Sequence, residues 1–214
     1  YASFVRRTGG GGGRYDKHPV GTKAFHQEER CLDSCDEGRD CGLGFGRIQF
    51  AAVPNDPKLY LRVPSDADAD MLLSFVENVW GLRRPKLLIG ITGGSIATWN
   101  TDLQNLFREL MSVARETDAW IISDGTKSGI SKFIGQARYR FGGNVPLIGF
   151  ASWDAIAGKE HLVVEPNSIN YGYGIRKPVN YEHHKAPKES VLEHNHSHFI
   201  LVDSAGRAPG DGGG

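Results

Sequence analysis

The chain reads as an α/β fold on a parallel sheet, and three observations predict it. Short, almost wholly apolar runs alternate with segments of helical period, two of these runs end in glycine-marked turns, and a last apolar run, HFILVD at 198–203, closes the series. Strands covered on both faces read as continuous apolar runs, and a βαβαβ order brings right-handed crossovers.

The elements follow in order. Residues 1–40 mix five consecutive glycines, Gly9 to Gly13, with charges and little apolar period, and read as a flexible arm. GFGRIQFAAV at 44–53 alternates and LYLRV at 59–63 follows the PNDP turn, so the two are expected to pair as a hairpin. Asp66 to Trp80 predicts a helix: Met71, Leu72, Phe75, Val76, Val79 and Trp80 share one face, and acidic residues crowd its start. Lys86 to Thr92 is expected to be a strand buried on both faces. Leu103, Leu106, Phe107, Leu110, Met111 and Ala114 then form a helical stripe ending near Thr117.

A second buried strand is expected at Ala119 to Ser123. The turn DGTKSG at 124–129 leads into a helix with Ile130, Phe133, Ile134 and Ala137 facing the sheet. Val145 to Ala151 is the third strand, after the GGN turn at 142–144. Residues 154 to about 196, rich in His, Pro, Asn and Tyr, break the rhythm and read as a long insertion crossing a face of the sheet before the last strand. The Gly-rich residues 204–214 have no packing capacity, and with Tyr1 at the start the chain reads as a piece of a longer one.

Composition narrows the function. Twenty-five basic residues balance twenty-five acidic ones over 214 positions, which argues against the broad basic field of a nucleic-acid binder. The sequence lacks an apolar run long enough for a membrane span and a signal-peptide core at its start, so no membrane insertion by these residues is expected. Cys31, Cys35 and Cys41 are an odd set in one stretch, which suits a reducing interior better than a disulfide framework.

The chemistry is expected at the two glycine turns, PKLLIGITGGS at 85–95 and WIISDGTKSGI at 120–130. Glycine lets the main chain approach a ligand, and unpaired amides at the start of the following helix favour an anion. Both turns would lie at the carboxyl edge of the sheet, where open α/β folds bind ligands. Thr126, Lys127 and Ser128 offer hydroxyls and an ammonium to a phosphate, while Thr126 or Ser128 equally suits a helix N-cap. The lysine spacing is not that of a Walker loop, and a G-x-G-x-x-G fingerprint is absent. Trp153 after the third strand suits either adenine stacking or the core.

His194, His196 and His198, spaced by two, would share one face of a strand and are weighed as zinc ligands against a hydrogen-bonding turn formed with Asn195 and Ser197. The three cysteines with His18 and His26 lack a C-x-x-C knuckle. No metal site and no catalytic set are assigned.

Taken together, WGLRRPKLLIGITGGS at 80–95, TDAWIISDGTKSGISKFIGQA at 117–137, IGFASWD at 148–154 and NHSHFILVD at 195–203 resemble the signature segments of the amino-terminal cytosolic homology region of melastatin-type transient receptor potential (TRPM) cation channels. CGLGFGRIQF at 41–50 and LYLRVPSD at 59–66 resemble the lead-in strands of that family. The resemblance covers 41–203 and implies a Rossmann-like, three-layer SLOG domain with an N-terminal strand pair. It also implies a homotetrameric, calcium-permeable channel, with this region on the cytoplasmic side against neighbouring subunits. ADP-ribose or a related nucleotide is the implied ligand, and Thr92, Gly93, Gly94, Ser95, Gly125, Thr126, Ser128, Gly129, Ser152 and Trp153 fall on the cleft-lining positions. Two departures stand out: Ser123-Asp124-Gly125 replaces the family's usual TGG, and Ile96 to Trp99 replaces its usual Asn-Phe pair. The related LOG nucleoside monophosphate hydrolases carry a glutamate after their glycines, whereas 124–132 has no carboxylate after Gly125, so an enzyme is not expected.

Overall fold

The computed structural model describes residues 44–93, 99–162, 179–181 and 190–204. The arm and residues 205–214 of the tail therefore lie outside the described residues, as do Gly94, Ser95, His183, His184 and the three cysteines. Among the described residues seven strands form one sheet in the order β3-β4-β5-β7-β2-β1-β6: β1 Gly44–Phe50, β2 Lys58–Pro64, β3 Leu88–Gly90, β4 Trp120–Ser123, β5 Leu147–Ser152, β6 Val179–Tyr181 and β7 His198–Asp203. Among these described strands only β1 and β2 pair antiparallel, as the hairpin the sequence predicts, and the other pairs are parallel. The architecture is Rossmann-like α/β.

Among the described residues three α-helices flank the sheet. Helix α1, Ala69–Asn78, starts at Asp68, whose carboxylate accepts the Met71 amide at 2.9 Å. It buries Phe75 and Val76 against Leu61, Val63, Trp120, Ile148 and Ile200. Helix α2, Thr101–Glu116, is capped by Asn100, and helix α3, Gly129–Ala137, runs on into a π-helical turn at Arg138–Gly142. Both pack on the opposite face, where Phe107, Met111, Phe133 and Ile134 meet Ile121 and Leu147.

The placement of the helices follows from handedness. Steps from β3 to β4 and from β4 to β5 run toward β6 and carry α2 and α3; the step from β2 back to β3 runs the other way and carries α1. Right-handed crossovers therefore put α1 on the face opposite α2 and α3. Described parts of the 154–196 insertion, including Ile156, Leu162, Tyr181 and Leu192, pack with Phe199 and Leu201 on the α2/α3 face. The insertion also supplies β6, which the sequence did not predict.

Two expectations are corrected. The strand expected over 86–92 to be buried on both faces is a three-residue edge strand, with Leu87 and Leu88 exposed at 44% and 55%. A wholly apolar run signals a core position but does not say how many neighbours the strand has. Leu106 is exposed as well, because it lies at the margin of the stripe that Leu103, Phe107, Leu110 and Ala114 define.

Candidate functional site at the carboxyl edge of the sheet

Strands β3, β4 and β5 are neighbours and parallel, so the segments after them emerge along one edge. Thr92 and Gly93 follow β3, residues 124–129 follow β4, and Ser152 and Trp153 end β5 and follow it. The structure brings the two turns into contact: a Cβ built on Gly93 would stand 3.6 Å from the Ile130 side chain, in the first turn of α3. That first turn is open. Ser128 occupies the N-cap position in extended conformation and makes no side-chain cap bond, so its hydroxyl does not take up the leading amides of α3, where the positive end of the helix dipole lies.

The turn after β4 is built differently from an empty phosphate cradle. Asp124 Oδ1 accepts both the Thr126 amide and the Thr126 hydroxyl, each at 2.8 Å, and Thr126 Oγ1 lies 2.8 Å from Ser128 Oγ. The Lys127 amide donates to Val191 O at 2.6 Å, and Gly125 O accepts the Glu193 amide at 2.9 Å. The 124–127 turn is thus laced to residues 191–193, and its carboxylate takes donors that an incoming anion would otherwise meet.

Gly125 has a reason of its own. It sits at φ +70°, and a Cβ there would stand 2.8 Å from the Gly149 Cα. The same overlap arises from Gly149 toward Gly125, at 2.6 Å. Close passage of the turn over β5 demands both glycines. Trp153 is buried in the core, with the Arg62 guanidinium 4.1 Å above its ring and Asp203 paired to Arg62. Ser152, Thr92 and Ser128 are exposed.

The histidines do not share a face. His198 packs at a tilt against Trp80, centroids 4.6 Å apart, on the α1 face, whereas His196 stacks on Phe199 on the α2/α3 face. Residues 194–197 precede β7 as a turn, so strand alternation does not apply to them. No group of three or more His, Cys, Asp or Glu among the described residues is placed to hold a metal ion. Burial, aided by the positive charges of Arg138 and Lys58, pushes the His198 imidazole down to about 4. Burial also lowers His194, against the opposing pull of Glu193.

His196 instead belongs to a buried polar chain that spacing alone did not reveal. The Glu193 carboxylate accepts the Asn195 amide at 3.0 Å and the Asn195 side-chain amide at 2.7 Å, and lies 3.0 Å from His196 Nδ1. The carboxylate accepts a hydrogen bond from Nδ1–H, leaving Nε2 to accept from the Ser123 hydroxyl at 2.7 Å. Ser131 Oγ completes the chain, 2.9 Å from Ser123 Oγ. The order resembles a nucleophile, base and orienting acid. Ser123 is only 4% exposed and His196 wholly buried, so the chain ties β4, α3 and the turn before β7 together rather than meeting a substrate.

Comparison with known proteins fits this geometry. A family model described as "SLOG in TRPM" matches residues 58–211. The chain is 32% identical over 170 residues to a transient receptor potential cation channel subfamily M member-like 2 of Nematostella vectensis, covering 74% of this chain and 10% of that one. It is 33% identical over 169 residues to subfamily M member 2 of Mus musculus, with 74% and 11% covered. Against the trpm channel of Drosophila melanogaster the identity is 31% over 174 residues, with 77% and 8% covered. The chain spans about a tenth of the length of these relatives.

Proposed function

The chain belongs to the SLOG family of TRPM channels, and on that premise we propose that it is a cytosolic nucleotide sensor that regulates a calcium-permeable channel. The ligand is ADP-ribose or a related nucleotide. One observation carries the reading: Gly93, after β3, lies beside Ile130 in the first turn of α3, whose N-cap Ser128 makes no side-chain cap bond, so both glycine turns border the start of one helix. The phosphate goes to the start of α3 beside Thr92, Gly93, Ser128 and Gly129. Gly125, Thr126 and Trp153 shape the floor, because their backbone or ring is already engaged. Binding there would favour one arrangement of the edge, and the tethered channel, a homotetramer in this reading, would respond as a shifted gating equilibrium.

The test is titration calorimetry of the protein with ADP-ribose, cyclic ADP-ribose, AMP and NAD, each to millimolar concentration, alongside Gly93→Glu. That variant places a carboxylate at the start of α3 in an exposed position and should abolish the heat. Silence from all four ligands, or heat unaffected by Gly93→Glu, overturns the proposal.

A second reading is an assembly domain whose edge stays empty. The Asp124 carboxylate bound to Thr126 favours it, since the protein supplies its own anion to that turn. No catalytic step is assigned, because the serine of the buried Ser123-His196-Glu193 chain is shielded from substrate.

A further inference from the structure

Residues 190–196 grip helix α3 along its whole length. Before the helix, the Lys127 amide donates to Val191 O at 2.6 Å and the Glu193 amide to Gly125 O at 2.9 Å, with Thr126 and Leu192 bridged antiparallel between them. In its middle, the Glu193 side chain fills the notch beside Gly135. Just past its end, Arg138 Nη1 donates to Asn195 O at 2.9 Å. Such a helix cannot slide along its axis without breaking one of these contacts.

The buried side chains carry that grip into the first turn, and hydroxyl bookkeeping gives their chain a direction. His196 donates its Nδ1–H to Glu193, so Nε2 bears no proton and the Ser123 hydroxyl donates to it. A hydroxyl has a single proton, so toward Ser131 the Ser123 oxygen can only accept, and the Ser131 hydroxyl donates inward at 2.9 Å. Ser123 Oγ also accepts the Gly125 amide at 3.3 Å, which joins the turn before α3 to the same oxygen. Ser131 and its neighbour Ile130 thus locate the first turn from two sides. Ser131 is wholly buried against the end of β4, and the Ile130 side chain lies beside Gly93.

We infer that Ser123 and Ser131 are positioning residues for the candidate site: held through His196 to Glu193, they fix the first turn of α3 between the 124–127 turn and Gly93. That seat is a property of the fold, whereas its effect on ligand affinity rests on the nucleotide reading. Each link keeps the next in place, because a buried polar group that loses its partner has no water to replace it.

The test compares the protein with Ser131→Ala, Ser123→Ala and the double variant by amide hydrogen exchange. The Lys127 amide, bonded to Val191 O, and the Lys132 amide, bonded to Ser128 O at 3.2 Å, report the seat; the Gln104 amide at the start of α2, bonded to Asn100 O at 3.0 Å, is the control. Both single variants should exchange about fivefold faster at Lys127 and Lys132, as the loss of one net hydrogen bond gives, with Gln104 unchanged. The double variant should exchange no faster than the faster single one, since either substitution already cuts the chain. Alanine is the better helix former, so unchanged or slower exchange at Lys132 in Ser131→Ala overturns the inference, as does a rise that Gln104 shares. If Ser123→Ala does not fold, Ser131→Ala decides alone. Nitrogen NMR of the imidazole gives a separate check: a proton on His196 Nε2 overturns the direction of the chain.

Calorimetry with ADP-ribose separates this inference from the nucleotide reading. Binding about fivefold weaker in Ser131→Ala supports the role in affinity, and equal binding by parent and variant overturns it. No heat from the parent overturns the nucleotide reading, while the exchange pattern still decides the seat of α3.

Discussion

The Glu193 carboxylate occupies the space beside Gly135 where a Cβ would stand. Helix α3 is thereby notched for a buried acid whose oxygens are held by Asn195 and His196. Alanine at a helix interior ordinarily stabilises by roughly 0.5–1 kcal/mol relative to glycine. Here Gly135→Ala should destabilise by about 3 kcal/mol or more, because it displaces a buried, hydrogen-bonded carboxylate. Urea denaturation of Gly135→Ala, Glu193→Ala and the double variant checks this: the double variant should lose less than the sum, since Glu193→Ala empties the space that the added methyl needs. Additive losses would separate the two residues.

In the proposed reading the Asp124 carboxylate opposes an anion at the edge. Asp124→Asn keeps an oxygen for the Thr126 amide and hydroxyl while removing the charge. A like charge about 4 Å from a phosphate opposes it by about 1 kcal/mol in a watery site, so the variant should bind nucleotide or inorganic phosphate roughly fivefold more tightly. Calorimetry of the two proteins side by side decides; equal affinities mean that no anion binds near Asp124.

Gly93 and Gly125 should respond oppositely to alanine. A methyl added at Gly93 would reach Ile130 at ordinary contact distance, whereas one added at Gly125 would combine φ +70° with a 2.8 Å approach to the Gly149 backbone. Gly93→Ala should leave the melting temperature within the small range of surface substitutions, and Gly125→Ala should cost about 2–4 kcal/mol from the left-handed conformation and overlap together. Thermal melts of both variants measure the contrast. A ligand-binding loss in Gly125→Ala would then report a damaged fold rather than a blocked cleft.

Much of this was legible in the sequence, and the exceptions have physical causes. Apolar runs, glycine turns and helical stripes placed β4, α3, β5 and β7 because local pattern and tertiary burial agree there. Pattern says nothing of neighbours, so the edge position of β3 was hidden behind a run as apolar as that of β4. Likewise HNHSH looked like three imidazoles on one face, because period 2 holds only once the strand has begun, at His198. Glu193, Ser123 and Ser131 carry no motif. Their chain spans residues far apart in sequence, and Gly135, a glycine inside a helix, was its one local trace.

His198 makes stability depend on pH. Its imidazole is held neutral in the folded state down to about 4, against 6.5 for the ordinary group, by burial with Arg138 and Lys58 nearby. Above pH 6.5 both folded and unfolded chains carry it neutral and no penalty arises. As the pH falls from 6.5 toward 4 the unfolded chain takes up the proton and the folded one does not, so stability drops with falling pH by up to about 3 kcal/mol. His194, lowered in the same direction, adds to this slope. His198→Phe keeps a ring against Trp80 and removes the titration. Urea midpoints measured from about pH 8 to about pH 4.5 should fall steeply for the parent chain and more shallowly for the variant; parallel curves would show that His198 does not carry the effect.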